Sequence, residues 1–270
     1  MKIHHFSDIH EGAFPGPLSV LSKRFFGGFN YCFLRKKHVQ WDCLDRAIDQ
    51  VKKDKPEIVV ISGDFTSTGS AKEFTMARKR LEPLRAIEGL TILAVPGNHD
   101  NYIDDKKSYL AMMEFMVWLT DGVVTNFPCR IERPEVVFYL SDHSKPRPVK
   151  LSSGELTEET FLKLKEWSVE DEGKVRVAIG HYPFLNGRGD ELPARKSLDN
   201  GKKALSLLQS GDLEVNLCGH IHRGFLRTED SGAIEVCAGS LTMGGQVNEL
   251  EIVENKVEQN WIEMKSGFPC

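Results

Sequence analysis

Short apolar runs alternate with stretches of helical periodicity along most of the chain. Seven of these runs are typical of buried strands, and a hairpin pattern from Val247 to Met264 follows them, with Glu254-Asn255 as its turn. The strands are predicted over Lys2–Ser7, Glu57–Ser62, Leu90–Val95, Val136–Ser141, Val175–Ile179, Glu214–Cys218 and Ala233–Ala238. The helices are predicted over Asp42–Lys53, Ala71–Ile87, Tyr109–Leu119, Glu158–Glu170 and Gly201–Gln209. This alternation predicts an α/β or layered sandwich fold.

Composition and charge narrow the classes of protein to consider. The chain has 270 residues, of which 40% are hydrophobic and 27% charged, so we expect one folded domain over residues 1–270. A net charge of -4 disfavours a nucleic-acid binder that relies on overall charge. The first residues, MKIHHFSDIH, show no secretory pattern, and the six cysteines form no CxxC pair. We therefore expect a cytoplasmic protein with reduced thiols.

Five of the predicted strands are followed directly by Asp, Asn or His. In sheets that are covered by helices, ligand sites collect beyond the carboxyl ends of the strands. In four of the five places a glycine precedes the polar residue, which allows a sharp turn. The five blocks are Asp8-Ile9-His10, Gly63-Asp64, Gly97-Asn98-His99-Asp100, Gly180-His181 and Gly219-His220-Ile221-His222.

Together these blocks hold three carboxylates, one amide and five imidazoles. Such nitrogen and oxygen donors, with no thiolate pair nearby, suit divalent Mn, Fe or Zn. They are too many for one ordinary tetrahedral zinc ion. Two ions that share a bridging carboxylate would use them economically, and two-metal sites of this kind serve in-line phosphoryl displacement. The sequence therefore predicts a dinuclear metal centre at the strand ends.

In this order, the five blocks resemble the calcineurin-like metallophosphoesterase superfamily. The resemblance covers about residues 2–240 and is strongest to the branch that contains bacterial cyclic-nucleotide phosphodiesterases. It implies a four-layer αββα sandwich around two mixed β-sheets. It also implies that one metal ion is bound by Asp8, His10, Asp64 and His222. The second ion would be bound by Asp64, Asn98, His181 and His220, with Asp64 bridging.

The resemblance also assigns a reaction. A metal-bridging hydroxide would attack phosphorus, His99 would protonate the leaving oxygen, and Asp100 would orient His99. The expected substrate is a phosphodiester or a pyrophosphate. A membrane-surface pyrophosphohydrolase of a nucleotide-linked lipid, of the lipid A precursor type, is one alternative. A non-catalytic metal-binding scaffold is an alternative from another class.

The segment 12–41 has an unusual composition. It contains no Asp or Glu, and it carries five basic and seven aromatic residues. The basic residues are Lys23, Arg24, Arg35, Lys36 and Lys37, and the aromatic ones are Phe14, Phe25, Phe26, Phe29, Tyr31, Phe33 and Trp41. Three interpretations stay open: a packed cap over the site, an interfacial element facing anionic lipid at the inner face of the membrane, and a platform for single-stranded nucleic acid.

Overall fold

The computed structural model describes residues 1–13, 23–31, 33 and 36–265. Phe14 and Arg35 of the basic, aromatic segment lie outside the described residues. The strands are β1 (Lys2–Phe6), β2 (Ile58–Ile61), β3 (Thr91–Ala94), β4 (Cys129–Glu132), β5 (Val136–Leu140), β6 (Gly154–Glu155), β7 (Val175–Ile179), β8 (Leu198–Asp199), β9 (Val215–Cys218), β10 (Phe225–Thr228), β11 (Ile234–Cys237), β12 (Gln246–Val253) and β13 (Lys256–Glu263). The helices are α1 (Lys23–Asn30), α2 (Trp41–Asp54), α3 (Ala71–Arg85), α4 (Lys106–Leu119), α5 (Glu158–Glu170), α6 (Gly201–Gln209) and α7 (Leu241–Gly244), with a 3-10 turn at Lys36–His38.

Two mixed sheets form the centre of the molecule. The first has the order β13-β12-β1-β2-β3, in which β1, β2 and β3 are parallel and the hairpin β12–β13 is antiparallel. The second has the order β10-β11-β9-β7-β5-β4, in which the four inner strands are parallel and both edge strands antiparallel. Strands β6 and β8 form a small parallel pair of their own.

The side chains of the central strands alternate between two cores. In β2, Ile58 and Val60 face the second sheet, whereas Val59 and Ile61 pack under the helices α2, α3 and α4. In the second sheet, Phe138 faces the first sheet and Tyr139 packs under α5 and α6. The layers are therefore helix, sheet, sheet and helix, which confirms the four-layer αββα sandwich with two mixed sheets.

The elements that were predicted lie within a few residues of their expected bounds. The hairpin turn falls at Glu254 and Asn255, whose φ angles of 51° and 62° suit a tight turn between antiparallel strands. Helix α4 begins at Lys106 rather than at Tyr109, because the Asp105 carboxylate accepts a hydrogen bond from the Ser108 N–H and caps the first turn. Among the helices described above, none combines the length and the apolarity needed to cross a bilayer.

Candidate metal centre

Five of the predicted ligands sit in a strained backbone conformation. Their φ angles are 57° at Asp8, 54° at His10, 55° at Asp64, 72° at His220 and 55° at His222. Non-glycine residues in this left-handed region cost about 1–3 kcal/mol each and cluster at functional sites. Backbone bonds between the loops hold them there, because the Asp8 N–H donates to the Gly63 carbonyl at 3.0 Å and the His10 N–H to the Asp64 carbonyl at 2.9 Å.

Two glycines let neighbouring loops approach the carboxylates. A Cβ at Gly97 would overlap the carboxylate and backbone of Asp64. A Cβ at Gly219 would lie 2.5 Å from Asp8 Oδ2, well inside van der Waals contact. The glycines that precede the polar residues in the sequence are therefore required by close packing against the site, as well as by the turns.

The first group of donors consists of Asp8, His10, Asp64 and His222. Their donor atoms lie within 4.8 Å of one another. The Nε2 of His222 is 3.1 Å from Asp8 Oδ1 and 2.9 Å from the Nε2 of His10. Two ring nitrogens at this distance bring two lone pairs together unless a proton or a cation lies between them. The geometry therefore suits a cation shared by these four side chains.

The second group consists of Asp64, His181 and His220, with Asn98 beside it. The Nε2 of His181 is 3.3 Å from Asp64 Oδ2, and its Nδ1–H donates to the Ser62 carbonyl at 2.7 Å. The Nε2–H of His220 donates to the Lys196 carbonyl at 3.0 Å, which leaves Nδ1 as the acceptor. Backbone carbonyls thus set the tautomers and ring orientations, as is usual for histidines that bind metals.

Several buried atoms of these side chains have no hydrogen-bond partner in the described part of the chain. They are Asp8 Oδ1, His10 Nδ1, Asn98 Oδ1 and His181 Nε2. A buried polar atom without a partner costs about 1–3 kcal/mol, so such atoms are rare unless a ligand uses them. All four belong to predicted metal ligands, and three of them lie on the side of a bound cation, whereas His10 turns its Nε2 and not this Nδ1 toward the other donors. The donor set, with Asp64 common to both groups, therefore fits two divalent cations.

The two carboxylates are ionised in this setting. Burial by itself raises the pKa of Asp64, but the neighbouring His181 and His99 outweigh it and hold the pKa well below its usual range. Burial also raises the pKa of Asp8, but the nearby His222 and His10 outweigh it, so this pKa is strongly lowered as well. Both carboxylates are thus available as anionic ligands.

His99 borders the metal centre, but Asp100 does not orient its ring. The His99 Nδ1–H donates to the Ser67 carbonyl at 2.7 Å, the ring stacks on Tyr102 at 5.6 Å, and the backbone N–H donates to Asp64 Oδ1 at 2.8 Å. The Asp100 carboxylate instead accepts hydrogen bonds from the loops after β2 and β3. Its donors are the N–H groups of Phe65, Thr66 and Gly97 and the hydroxyl of Thr66. The expected orienting role therefore belongs to a backbone carbonyl, and Asp100 fixes the loops.

An open pocket of about 250 Å³ lies over the donors. Asp64, Asn98, His99, His220 and His222 form its polar floor, and Lys23, Lys150 and Lys196 stand around it. Nothing in the sequence singled out Lys150 or Lys196, because both lie in polar loops with other basic residues and belong to none of the five blocks.

The described part of segment 12–41 divides into a packed half and an exposed half. Tyr31 is buried, and Arg24 donates to the carbonyls of Thr68 and Gly69. Phe26, Phe29 and Phe33 are 60%, 48% and 59% exposed, and Lys36 and Lys37 are exposed after them. Tyr31 and Arg24 therefore pack as the cap interpretation expects. The three exposed phenylalanines and the two lysines do not.

Comparison of the sequence with known proteins identifies the family of this chain. The model of the calcineurin-like phosphoesterases matches residues 1–224. The chain belongs to this family. Among curated relatives of the family, a protein named probable glycerophosphodiester phosphodiesterase GpdQ, from Arcobacter nitrofigilis, is 29% identical over 179 residues. A protein named glycerophosphodiester phosphodiesterase GpdQ, from Enterobacter lignolyticus, is 27% identical over 174 residues. Each alignment covers 63% of this chain, but only 58% and 57% of the respective relatives.

Solved structures agree on the fold of the family. A dimetal phosphatase from Danio rerio superposes with a TM-score of 0.70 at 15% identity, covering 98% of this chain and 96% of the other. A 5'-nucleotidase from Staphylococcus aureus, described as putative, superposes with a TM-score of 0.59 at 13% identity, covering 99% of this chain and 55% of the other. At these identities the likeness concerns the fold alone.

Proposed function

We propose that the chain is a dinuclear metal-dependent phosphoesterase that cleaves phosphodiester or pyrophosphate bonds. The observation that carries this proposal is the convergence of six donor side chains in two groups that share Asp64, with Asn98 lining the same pocket. Asp8, His10, Asp64 and His222 would hold one ion. Asp64, Asn98, His181 and His220 would hold the other.

Two bound divalent ions would supply Lewis acidity toward the phosphoryl oxygens and lower the pKa of water. The chain's own residues then orient and deliver protons. Because Nδ1 of His99 donates to the Ser67 carbonyl, a proton given to a leaving oxygen must come from Nε2. Tyr102 on one face of the ring fixes its plane. His99 is therefore the general acid of this proposal, and Asp100 acts on it through the loop backbone.

We favour diesters over monoesters. The two curated relatives are both named for the cleavage of a phosphodiester. The pocket beside His99 is open to solvent and has room for a leaving group.

The test is turnover of the purified protein with added Mn²⁺. We expect bis-p-nitrophenyl phosphate to be cleaved faster than p-nitrophenyl phosphate. Asp64→Ala, which removes a ligand from both groups, should lower kcat/KM at least about 10³-fold, since a bound ion contributes several kcal/mol to catalysis. Asn98→Ala should also lose activity, and the exposed Asp230→Ala should match the wild type. Turnover that survives Asp64→Ala would overturn the proposal, and no turnover with Mn, Fe or Zn would favour the scaffold.

A second candidate is a pyrophosphohydrolase that takes a nucleotide-linked lipid from an anionic bilayer. Phe29 and Phe33 pack against each other at 4.4 Å, yet both remain largely exposed, as does Phe26. The exposed Lys36 and Lys37 follow Phe33 after two residues, and exposed aromatics close in sequence to exposed lysines match the chemistry of an anionic lipid surface. Arg24 is bound to the loop after β2 and does not take part.

Co-sedimentation with vesicles tests this candidate. We expect binding to phosphatidylglycerol vesicles at low salt, weaker binding to phosphatidylcholine, and loss of binding in a Phe26→Ser, Phe29→Ser double variant and in a Lys36→Gln, Lys37→Gln double variant. Leu162→Ser on α5 removes an equally exposed apolar side chain elsewhere and should change nothing. Equal sedimentation of the wild type and both double variants would overturn the membrane contact.

A further inference from the structure

Three lysines surround the pocket over the donor groups, and they come from distant parts of the chain. Lys23 begins α1, Lys150 lies in the loop between β5 and β6, and Lys196 precedes β8. Two of these loops are tied together, because the Ser152 N–H donates to the Arg195 carbonyl at 2.8 Å. The cations are thus brought to one place by the fold and not by proximity in the sequence.

None of the three makes a salt bridge with an acidic residue in the described ranges 1–13, 23–31, 33 and 36–265. Other lysines of the chain pair with carboxylates, as Lys163 does with Glu166 and Lys202 with Glu191. Lys23 is half-buried, and burial lowers its pKa to about 8. The rim of the pocket therefore carries three lysines that form no ion pair with an acidic residue in the part of the chain that the structure describes.

Two of the lysines are connected to site residues through a single contact. The Nζ of Lys23 donates to the Tyr102 carbonyl at 3.1 Å and lies 3.8 Å from the centre of the Tyr102 ring, which in turn stacks on His99. The Lys196 carbonyl receives the hydrogen bond of His220. The side chain of Lys23 is therefore held beside Tyr102, which stacks on His99, and the backbone of Lys196 is held beside His220.

A phosphodiester carries one negative charge, and two divalent ions held by two buried carboxylates already attract it. Three further cations at the pocket rim are more than such a substrate requires. We propose that Lys23, Lys150 and Lys196 form a subsite for a second phosphoryl group of the substrate, close to the bond that is cleaved. This inference rests on the proposed function and narrows its substrate class to pyrophosphate diesters and to phosphodiesters with another phosphate nearby.

A matched pair of substrates tests the subsite. Thymidine 5'-(p-nitrophenyl phosphate) and its 3'-phosphorylated form share the nucleoside, the scissile bond and the leaving group, and differ by one phosphate. We expect the wild type to prefer the 3'-phosphorylated form at least about tenfold in kcat/KM, since each Lys–phosphate contact at a partly exposed site contributes a factor of about 2–5. In the triple variant Lys23→Gln, Lys150→Gln, Lys196→Gln, the ratio should fall toward one.

The control is a second triple variant, Lys163→Gln, Lys202→Gln, Lys203→Gln, which removes the same charge from the surface and should keep the wild-type ratio. A wild-type ratio near one, or a ratio that survives the subsite substitutions, would overturn the subsite. Each outcome is a ratio of kcat/KM values for two substrates with the same leaving group. A general loss of activity would lower both values and leave the ratio unchanged.

Equilibrium binding separates the subsite from the proposed function. Calorimetric titration with thymidine 3',5'-bisphosphate and with thymidine 5'-monophosphate, in Mn²⁺, needs no turnover. We expect the bisphosphate to bind at least about tenfold more tightly, with the difference lost in the subsite variant only. Selective binding without turnover would retain the subsite and reject the phosphoesterase. Turnover without selective binding would reject the subsite and retain the phosphoesterase.

Discussion

His99 shows how backbone groups define the role of a side chain. Its Nδ1 is bonded to the Ser67 carbonyl, and its backbone N–H is bonded to Asp64, so the ring is held beside the donors without being one of them. We expect His99→Ala to retain its bound metal, measured by elemental analysis, and to lose about 10²–10⁴-fold in kcat. The loss should grow with the pKa of the leaving group across a series of aryl phosphodiesters.

The exposed His38→Ala serves as the control and should have wild-type kcat for every ester of the series. A His99→Ala protein that loses metal would show that the ring binds a cation. A loss that is equal for good and poor leaving groups would show that His99 does not act as the acid.

His143 is a second histidine whose surroundings make a measurable prediction. It is buried, neither ring nitrogen has a hydrogen-bond partner among the described residues, and burial together with nearby His181 lowers its pKa to about 4. Because an unfolded chain binds this proton near pH 6.5, the free energy of unfolding should fall by up to about 3 kcal/mol between pH 6.5 and 4. His143→Leu should lose less stability over this range, measured by urea unfolding at several pH values. Parallel pH profiles for the two proteins would contradict this assignment.

At the scale of elements, Glu73 joins three segments around the metal centre. From the first turn of α3, its buried carboxylate accepts hydrogen bonds from the N–H groups of Ala13, Thr68 and Ser70 and from the Thr68 hydroxyl. Glu73→Ala would leave buried donors without acceptors and remove the capping box, so the free energy of unfolding should fall by roughly 2–4 kcal/mol. The exposed Glu82→Ala on the same helix should change it by less than about 0.5 kcal/mol. Equal denaturation midpoints for both variants would refute this role of Glu73.

Whether a strand could be predicted from the sequence depended on where it lies in the layers. Strands such as β2 are buried on both faces, so their sequences are uninterrupted apolar runs that stand out. The edge strands β4 and β10 were missed, because their residues are partly exposed and their composition is mixed. Helix α1 was missed for a different reason: Gly27 and Gly28 interrupt it, and glycine disfavours helix.

The donors were predictable because the blocks follow strand ends, and strand ends meet at one edge of a sheet. The structure brings together all seven predicted ligands, although their binding of metal stays a prediction. What the sequence could not show are the backbone partners, such as the Ser67 carbonyl on His99 and the Lys196 carbonyl on His220, since every residue has a carbonyl group. For the same reason we expected Asp100 to orient His99, whereas its carboxylate accepts hydrogen bonds from backbone N–H groups of the loops after β2 and β3.

At the scale of the whole molecule, the donors come from both sheets. Asp8, Asp64 and Asn98 follow strands of the first sheet, whereas His181 and His220 follow strands of the second. Ions bound between them would connect the two central layers at this edge. The prediction of a single domain over residues 1–270 stays a prediction, but cations shared by both sheets would favour cooperative unfolding of the two.

Removal of metal should therefore act on the whole fold. Without cations, Asp8 Oδ1, Asn98 Oδ1 and His181 Nε2 are buried with no hydrogen-bond partner among the described residues. Ions at 100 times their dissociation constant would stabilise the native state by about 2.7 kcal/mol per site. We expect a chelator to lower the Tm by roughly 5–10 °C, measured by calorimetry, and Mn²⁺ to restore it. In Asp64→Ala, which lacks the shared ligand, the chelator should change the Tm by less than half as much. An equal shift in both proteins would place the stabilising cation elsewhere, and no shift in the wild type would show that the layers do not depend on it.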